Sequence, residues 1–421
     1  MNSTTNENSK HTAAPSPPGL RRFRTALTAF FALDGFLFAG WVVRIPAVKE
    51  QTGASASALG LALLGVSAGA VATMMLTGRL CSRFGNQPVV LACGLILPLS
   101  VALPPLTHSA TALGLVLLVF GASYGGMSVA LNSAAVDLIA ALRRPVMPGF
   151  HAAFSLGGMV GAGLGGILAG HLSPTRHLLL LTFAGLVVAA LGARPLLRYD
   201  LRPARRQGHG TGGTDAGTDA GTAEGSGESA GEARLTGRAR RLVAVLGLIA
   251  LCTAYGEGAL ADWSALHLTD DLGASAGVAA AGYSVFAGAM TVGRLSGTTL
   301  VERLGPGRVL ILGGALGCAG MLLGSLAPSV WLALTGFVIT GLGLANVFPI
   351  AIGRAGDLAG PSGVAAASTF GYGGILLGPV AIGFLADWFT LTTALLTVAV
   401  LAAFASVTAW ATRHAVLPEE G

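Results

Sequence analysis

The chain has 421 residues, 53% of them hydrophobic and 10% charged, with a mean hydropathy of +0.71. That is far more apolar than one soluble core requires, and it places the chain among integral membrane proteins. The net charge of +6 would suit nucleic acid, but the 25 Lys and Arg gather on one side of the apolar segments, so no nucleic-acid partner is expected.

Residues 1–22 are polar, with Pro and Ser, and are read as a disordered cytoplasmic N-terminus. The apolar run that follows is too long for a signal-peptide core and is expected to stay as a first span. A membrane-crossing helix needs about 20 mostly apolar residues, and such segments recur along the chain. Twelve are predicted, at 24–46, 58–78, 87–105, 111–137, 147–171, 177–197, 241–267, 276–299, 308–327, 331–355, 364–387 and 391–411. They make an all-α protein of two six-helix bundles, 23–197 and 241–412, with a cytoplasmic tail over 413–421. Between the bundles, 198–240 is a Gly, Ala, Thr and acid-rich run that cannot bury a core, hence a flexible cytoplasmic linker.

Basic residues alternate with the spans. Lys10, Arg21, Arg22 and Arg24 precede the first, Arg79 and Arg83 follow the second, Arg143 and Arg144 the fourth, and a cluster from Arg194 to Arg241 the sixth. Arg303 and Arg308 follow the eighth, and Arg354 and Arg413 close the tenth and twelfth, whereas the opposite loops hold little beyond Lys49 and Arg176. The positive-inside rule then puts both termini and the linker in the cytoplasm of a cell-membrane protein, with some attraction to anionic lipid. Cys81, Cys93, Cys252 and Cys318 lack pair spacing, so neither a disulfide framework nor a zinc site is expected.

The halves resemble each other at an offset of 220 residues. Gly53-Ala54-Ser55 answers Gly273-Ala274-Ser275, Arg83-Phe84-Gly85 answers Arg303-Leu304-Gly305, Gly121 answers Gly341, and Asp137-Leu138 answers Asp357-Leu358. After a four-residue deletion FSLGG at 154–158 matches FGYGG at 370–374. Two bundles in the same orientation form the parallel repeat of a carrier with a midplane site. GRLCSRFG at 78–85 is similar to the loop of the major facilitator superfamily, Gly-x-Leu-Ala-Asp-Arg-x-Gly, with Ser82 in the acidic place, while TTLVERLG at 298–305 keeps the acid as Glu302. The chain resembles that superfamily over roughly residues 22–413, and FFALDGFLFAGWVVRIPAV with TGASASALGLALLG resembles a bacterial branch that includes the rhizopine-locus membrane protein. The resemblance implies a monomeric carrier without a cofactor. It also implies a cytoplasmic gate of Arg79, Arg83, Asp137, Glu302, Arg303 and Asp357, with Arg83 paired to Asp137 and Arg303 to Asp357; the alternative is that these charges are solvated helix ends.

Asp34 lies about ten residues, or about 15 Å, into the first helix, near the bilayer middle. A carboxylate there costs roughly 2.5–3.5 kcal/mol, so it is expected to face a wet cavity and bind protons or solute, or else to bond a neighbouring helix or an arginine. Glu257 on the pseudo-equivalent seventh helix is a second embedded acid, and 257, 260 and 264 share a face. Asp262 and Trp263 lie nearer the outer end, as do Trp41 and Arg44; solute contact competes with interfacial anchoring for these four. Asn132, Asn346 and Tyr372 complete the cavity candidates, with Tyr124, Tyr255 and Tyr283 as further aromatic groups and Arg294 as an embedded cation in need of a carboxylate or the interface.

The reading is a secondary carrier, not an enzyme, that moves a small organic solute and is coupled to protons through Asp34 and Glu257. A proton antiporter exporting a drug or secondary metabolite is the alternative. For that, Gly157, Gly161, Gly165 and Gly166 fit the export pattern Gly-x-x-x-Gly-Pro-x-x-Gly-Gly, but Ala162 stands where its proline belongs. A non-transporting sensor is the remote third.

Overall fold

The computed structural model describes residues 17–142, 146–198 and 237–416. Lys10, Arg143, Arg144 and most of the expected linker and tail lie outside the described residues. Helix replaces the expected irregular chain at 17–22, 237–240 and 413–416, because each of these stretches extends an apolar span outward.

Twelve helices are long and apolar enough to cross a membrane. The first half holds α1 (Pro17–Val42), the short α2 (Ile45–Thr52), α3 (Ala56–Phe84), α4 (Asn86–Val101), α5 (Ala110–Leu142), α6 (Met147–Ala169) and α7 (Pro174–Leu197). The second opens with α8 (Gly237–Leu266), prolonged by a π turn over His267–Asp271. Its eighth span is α9 (Ala276–Ala279) with α10 (Ala281–Leu295), followed by α11 (Gly297–Leu326), α12 (Val330–Leu344), α13 (Val347–Trp388) and α14 (Leu391–Val416). Within α13 the chain doubles back, since Gly363 abuts the carbonyl of Ala355, and this divides the tenth span from the eleventh.

The repeat read from the sequence is written in the backbone. Gly85 (φ 97°, ψ 158°) ends α3, and Gly305 (φ 77°, ψ 153°) breaks α11 at the matching place, so that Pro306 starts the ninth span. Gly53 (φ 60°) and Gly273 (φ 64°) form the second matched pair, and these four are the positive-φ glycines among the described residues. A Cβ disfavours that region, so each turn needs its glycine. Packing repeats as well: α1 on α6, α3 on α5 and α4 on α7 are answered by α8 on α13, α10 on α12 and α11 on α14.

An even number of spans brings both ends of the described chain to one face, here the terminal face. The halves meet tightly at the opposite face. Gly60 of α3 has no room for a side chain beside Pro379 of α13, nor has Gly383 beside Ala56, and Gly166 of α6 abuts Gly277 and Ala280. Lys49 pairs with Asp270 across the halves at 2.7 Å. Both oxygens of Asp387 accept from backbone N–H groups at the start of α3, those of Ala56 and Ser57, at 2.9 Å each. A carboxylate at a helix N-terminus is favoured by the unpaired amides there and by the helix dipole.

The Asp387 contact is a tie between halves rather than α3's own cap, because Ser55 already accepts from Ala58 within the helix. Asp387→Ala should therefore leave α3 folded and weaken closure at the opposite face by about 1 kcal/mol, a several-fold shift. Electron spin distances between labels at Glu50 and Thr390, in protein freed of its native cysteines, should show a larger long-distance population in this variant; an unchanged distribution would refute the tie.

Candidate functional site

The polar residues of the interior fall into a central cluster and two flanking groups. Asp34 of α1 is 3% exposed and its Oδ1 has no partner. Gly35 is pressed on the backbone of Phe154 in α6, and Tyr124 of α5 and Cys93 of α4 lie within electrostatic reach of the carboxylate. The expectation that Asp34 faces an open cavity is therefore not met: tight glycine-mediated packing encloses it inside the first half. No arginine is paired with it among the described residues.

An aromatic chain leads from Asp34 across the interface between halves. Tyr124 stacks between Phe120 and Phe38, with centroids at 6.2 and 5.1 Å, and Phe38 meets Tyr283 of α10 edge-on at 6.3 Å. Tyr283 in turn interacts electrostatically with Glu257, Arg294 and Asp262. Phe38, Tyr124, Tyr283 and Asp262 are all only partly buried.

Glu257 of α8 is tied to Arg294 of α10, whose Nη2 donates to both carboxylate oxygens at 3.0 and 3.1 Å. Arg294 Nε also donates to the carbonyl of Ala345 at 3.4 Å, and Asn346 Nδ2 donates back to that of Gly293 at 2.8 Å. The two residues brace the breaks at Ser296 and at Ala345–Asn346 against each other, where interrupted helices leave carbonyls free. Arg294 and Asn346 line a cavity of about 800 Å³ toward the terminal face, with His151 and Ser155 of the first half opposite Thr291 and Thr298 of the second and Glu302 at its rim.

The remaining candidates divide. Asp262 has no hydrogen bond or ion pair among the described residues. Trp263 is 1% exposed with its Nε1 unpartnered, and Trp41 is 2% exposed, so neither is an anchor at the lipid interface. Arg44 is also buried: Nε donates to His177 Nδ1 at 2.8 Å and the two Nη atoms donate to the carbonyls of Leu168 and Ala169 at the end of α6. It neither snorkels nor faces the cavity, because those helix-terminal carbonyls use its donors. Asn132 bonds its own helix at Ser128, and Tyr372 is 45% exposed, away from the cavity lining.

The gate pairs also differ from expectation. Asp137 accepts from Asn86 at 2.6 Å, and Arg83 stacks over Phe84 at 5.3 Å. Asp357 takes Arg354, one helical turn away, at 3.4 Å and leaves Arg303 exposed. Arg79 and Glu302 are likewise exposed. Near neighbours on the same or the next helix reach these acids before the arginines that the motif suggests. Sequence reasoning missed Asp387, Asp270 and His177, whose partners are more than 130 residues away and share no motif with them.

The Glu257–Arg294 pair is half open, with side chains 30% and 48% exposed, so its worth lies near the top of the surface-pair range, about 1 kcal/mol. Glu257→Gln and Arg294→Gln should each lower the apparent Tm in detergent, and the double variant should lose less than the sum; strict additivity would show no coupling.

With this geometry in place, the relatives are informative. The chain matches the model of the Major Facilitator Superfamily over residues 25–255 and 246–420. It is 34% identical to an uncharacterized MFS-type transporter of Yersinia pestis, covering 91% of this chain and 94% of that one. It is 29% identical to the membrane protein MosC of Rhizobium meliloti, over 93% and 91% respectively. In fold it matches a bacterial homologue of the lysosomal transporter Spinster, solved inward-facing and unoccupied, with TM-score 0.75, 15% identity and 96% and 98% coverage. The nucleoside transporter NupG matches with TM-score 0.69, 15% identity and 94% and 100% coverage. The chain belongs to the major facilitator superfamily and is a multi-pass membrane transporter, not an enzyme.

Proposed function

We propose that this transporter is a secondary carrier that moves a small organic solute across the cytoplasmic membrane by alternating access, coupled to protons through Asp34. The observation that carries the coupling is the enclosed carboxylate of Asp34, with one oxygen lacking any partner, beside an aromatic chain that reaches the interface between halves. Ionised, such a group is costly in hydrocarbon; protonated, it is tolerated, so its environment favours reversible protonation linked to changes in packing around it. Glu257 already has Arg294 as a counter-ion, which makes Asp34 the better proton site of the two.

Orientation follows from charge. The terminal face carries Arg79, Arg83, Arg303, Arg308, Arg354 and Arg413, against Lys49 and Arg176 opposite, which supports the terminal face as cytoplasmic. A closed opposite face and a cavity toward the terminal face then correspond to an inward-facing state, in keeping with the Spinster homologue solved in that state.

The test compares the metabolites inside and outside cells that carry the wild type, Asp34→Asn or no carrier, at matched protein levels. The wild type should redistribute at least one solute in a way that a protonophore abolishes, inward for import and outward for export. Asp34→Asn should slow this by about tenfold or more, the scale of one lost proton-transfer group. An identical profile for both variants would reduce Asp34 to a structural residue.

A further inference from the structure

We propose that the transported solute is an organic cation, a protonated or quaternary amine, with the Asp262 carboxylate as its counter-ion and the faces of Phe38, Tyr124 and Tyr283 as its walls; this rests on the carrier reading above. The argument starts from charge balance in the interior. Three acids stand there, Asp34, Glu257 and Asp262, and both arginines among them are engaged: Arg294 by Glu257, and Arg44 by His177 and the carbonyls that end α6. Asp262 is left with no cation and no hydrogen bond among the described residues, although a membrane-embedded carboxylate is kept only where a partner or a function compensates it. Its surface also remains partly exposed.

The surroundings select the sign of the missing partner. An anion would meet three carboxylates and a guanidinium that already holds one of them. A neutral polyol could use the Tyr124 and Tyr283 hydroxyls, but it would leave the Asp262 carboxylate without a counter-charge. A cation gains on both counts, because aromatic faces attract positive charge within about 6 Å of the ring centre, most strongly where water is excluded. Phe38 and Tyr124 stack at 5.1 Å with 23° between planes, while Tyr283 stands at 71° to Phe38 across the interface. Two walls from opposite halves therefore make a corner, and Tyr283 lies within electrostatic reach of Asp262. Within electrostatic reach of Tyr124 is a second carboxylate atom with no partner, Oδ1 of the nine-tenths-buried Asp34. The ionisable groups about this corner that lack a counter-charge are thus both carboxylates, Asp34 and Asp262.

The experiment uses full-length protein in proteoliposomes with an imposed pH gradient. They are loaded with a small-molecule extract of the expressing cells plus choline, benzylamine and tetraphenylphosphonium as cations, mannitol as a neutral compound and benzoate as an acid. Mass spectrometry should find that the compounds moved by the wild type are cations. Asp262→Asn should slow them about tenfold or more, as for the loss of a hydrogen bond to a charged group, while Asp262→Glu retains most of the rate. Elution as a single species in size-exclusion chromatography checks that both variants fold. Movement of neutral or acidic compounds alone, or wild-type rates in Asp262→Asn, would overturn the cation assignment and leave the carrier reading intact. If the wild type moved nothing, the carrier reading would fall and this inference with it.

Discussion

A bilayer interior offers no hydrogen bonds, so each polar group inside it must find a partner within the protein or stand at a site with work to do. That constraint orders the whole molecule. The backbone is satisfied mostly by helix, with side chains of Arg294 and Asn346 serving the interruptions, and helices approach closely where glycine replaces a side chain, as where Gly157 and Gly161 of α6 meet the carbonyls of Ala32 and Phe36 in α1. The glycine-rich sixth helix thus serves to seat α6 on α1, which is also what encloses Asp34. Export chemistry is not needed to explain it.

The repeat sets how the two halves can move. Glycines at matched positive φ, 53 with 273 and 85 with 305, fix equivalent turns, and three equivalent helix pairings build each half into one block. Contacts between blocks are of a different kind. At the face opposite the termini they are a carboxylate on two amides, one exposed ion pair and bare glycine contacts, beside small apolar residues such as Ala162 and Ala280. Rigid blocks joined by a small set of separable contacts are what rocking requires.

Much of this was legible in the sequence because it depends on period and composition. The twelve spans follow from apolar runs, and the repeat follows from the offset of 220; the matched glycine turns then gave it a structural reason. The site was legible only in part. Asp34 and Glu257 stand out as acids in apolar helices, and their oddness is visible without a fold. Their partners are not: Arg294 reaches Glu257 only because α8 and α10 pack side by side, and Arg44 caps α6 from 124 residues away. Asp387 lies at the end of a span, where an acid is unremarkable, and its role depends on the start of α3, 331 residues earlier. The gate pairs are not formed in this state, with a cavity toward the terminal face. A motif gives residue types at a spacing, but Asp357 chooses the nearest donor, and Arg354 is one turn away.

The placement of Asp34 and Asp262 on either side of one aromatic corner has a further consequence. A proton on Asp34 and a cation at Asp262 would each add positive charge to a region of low dielectric, at the two ends of the aromatic chain. Like charges so placed disfavour one another, and by linkage whatever the cation does to proton affinity the proton does equally to cation affinity. Mutual exclusion of this kind produces exchange: one species leaves as the other arrives, and the two cross in opposite directions. A neutral solute would carry no such penalty and would permit movement in the same direction. If a cation binds at Asp262, the charge of the solute therefore bears on the direction of coupling.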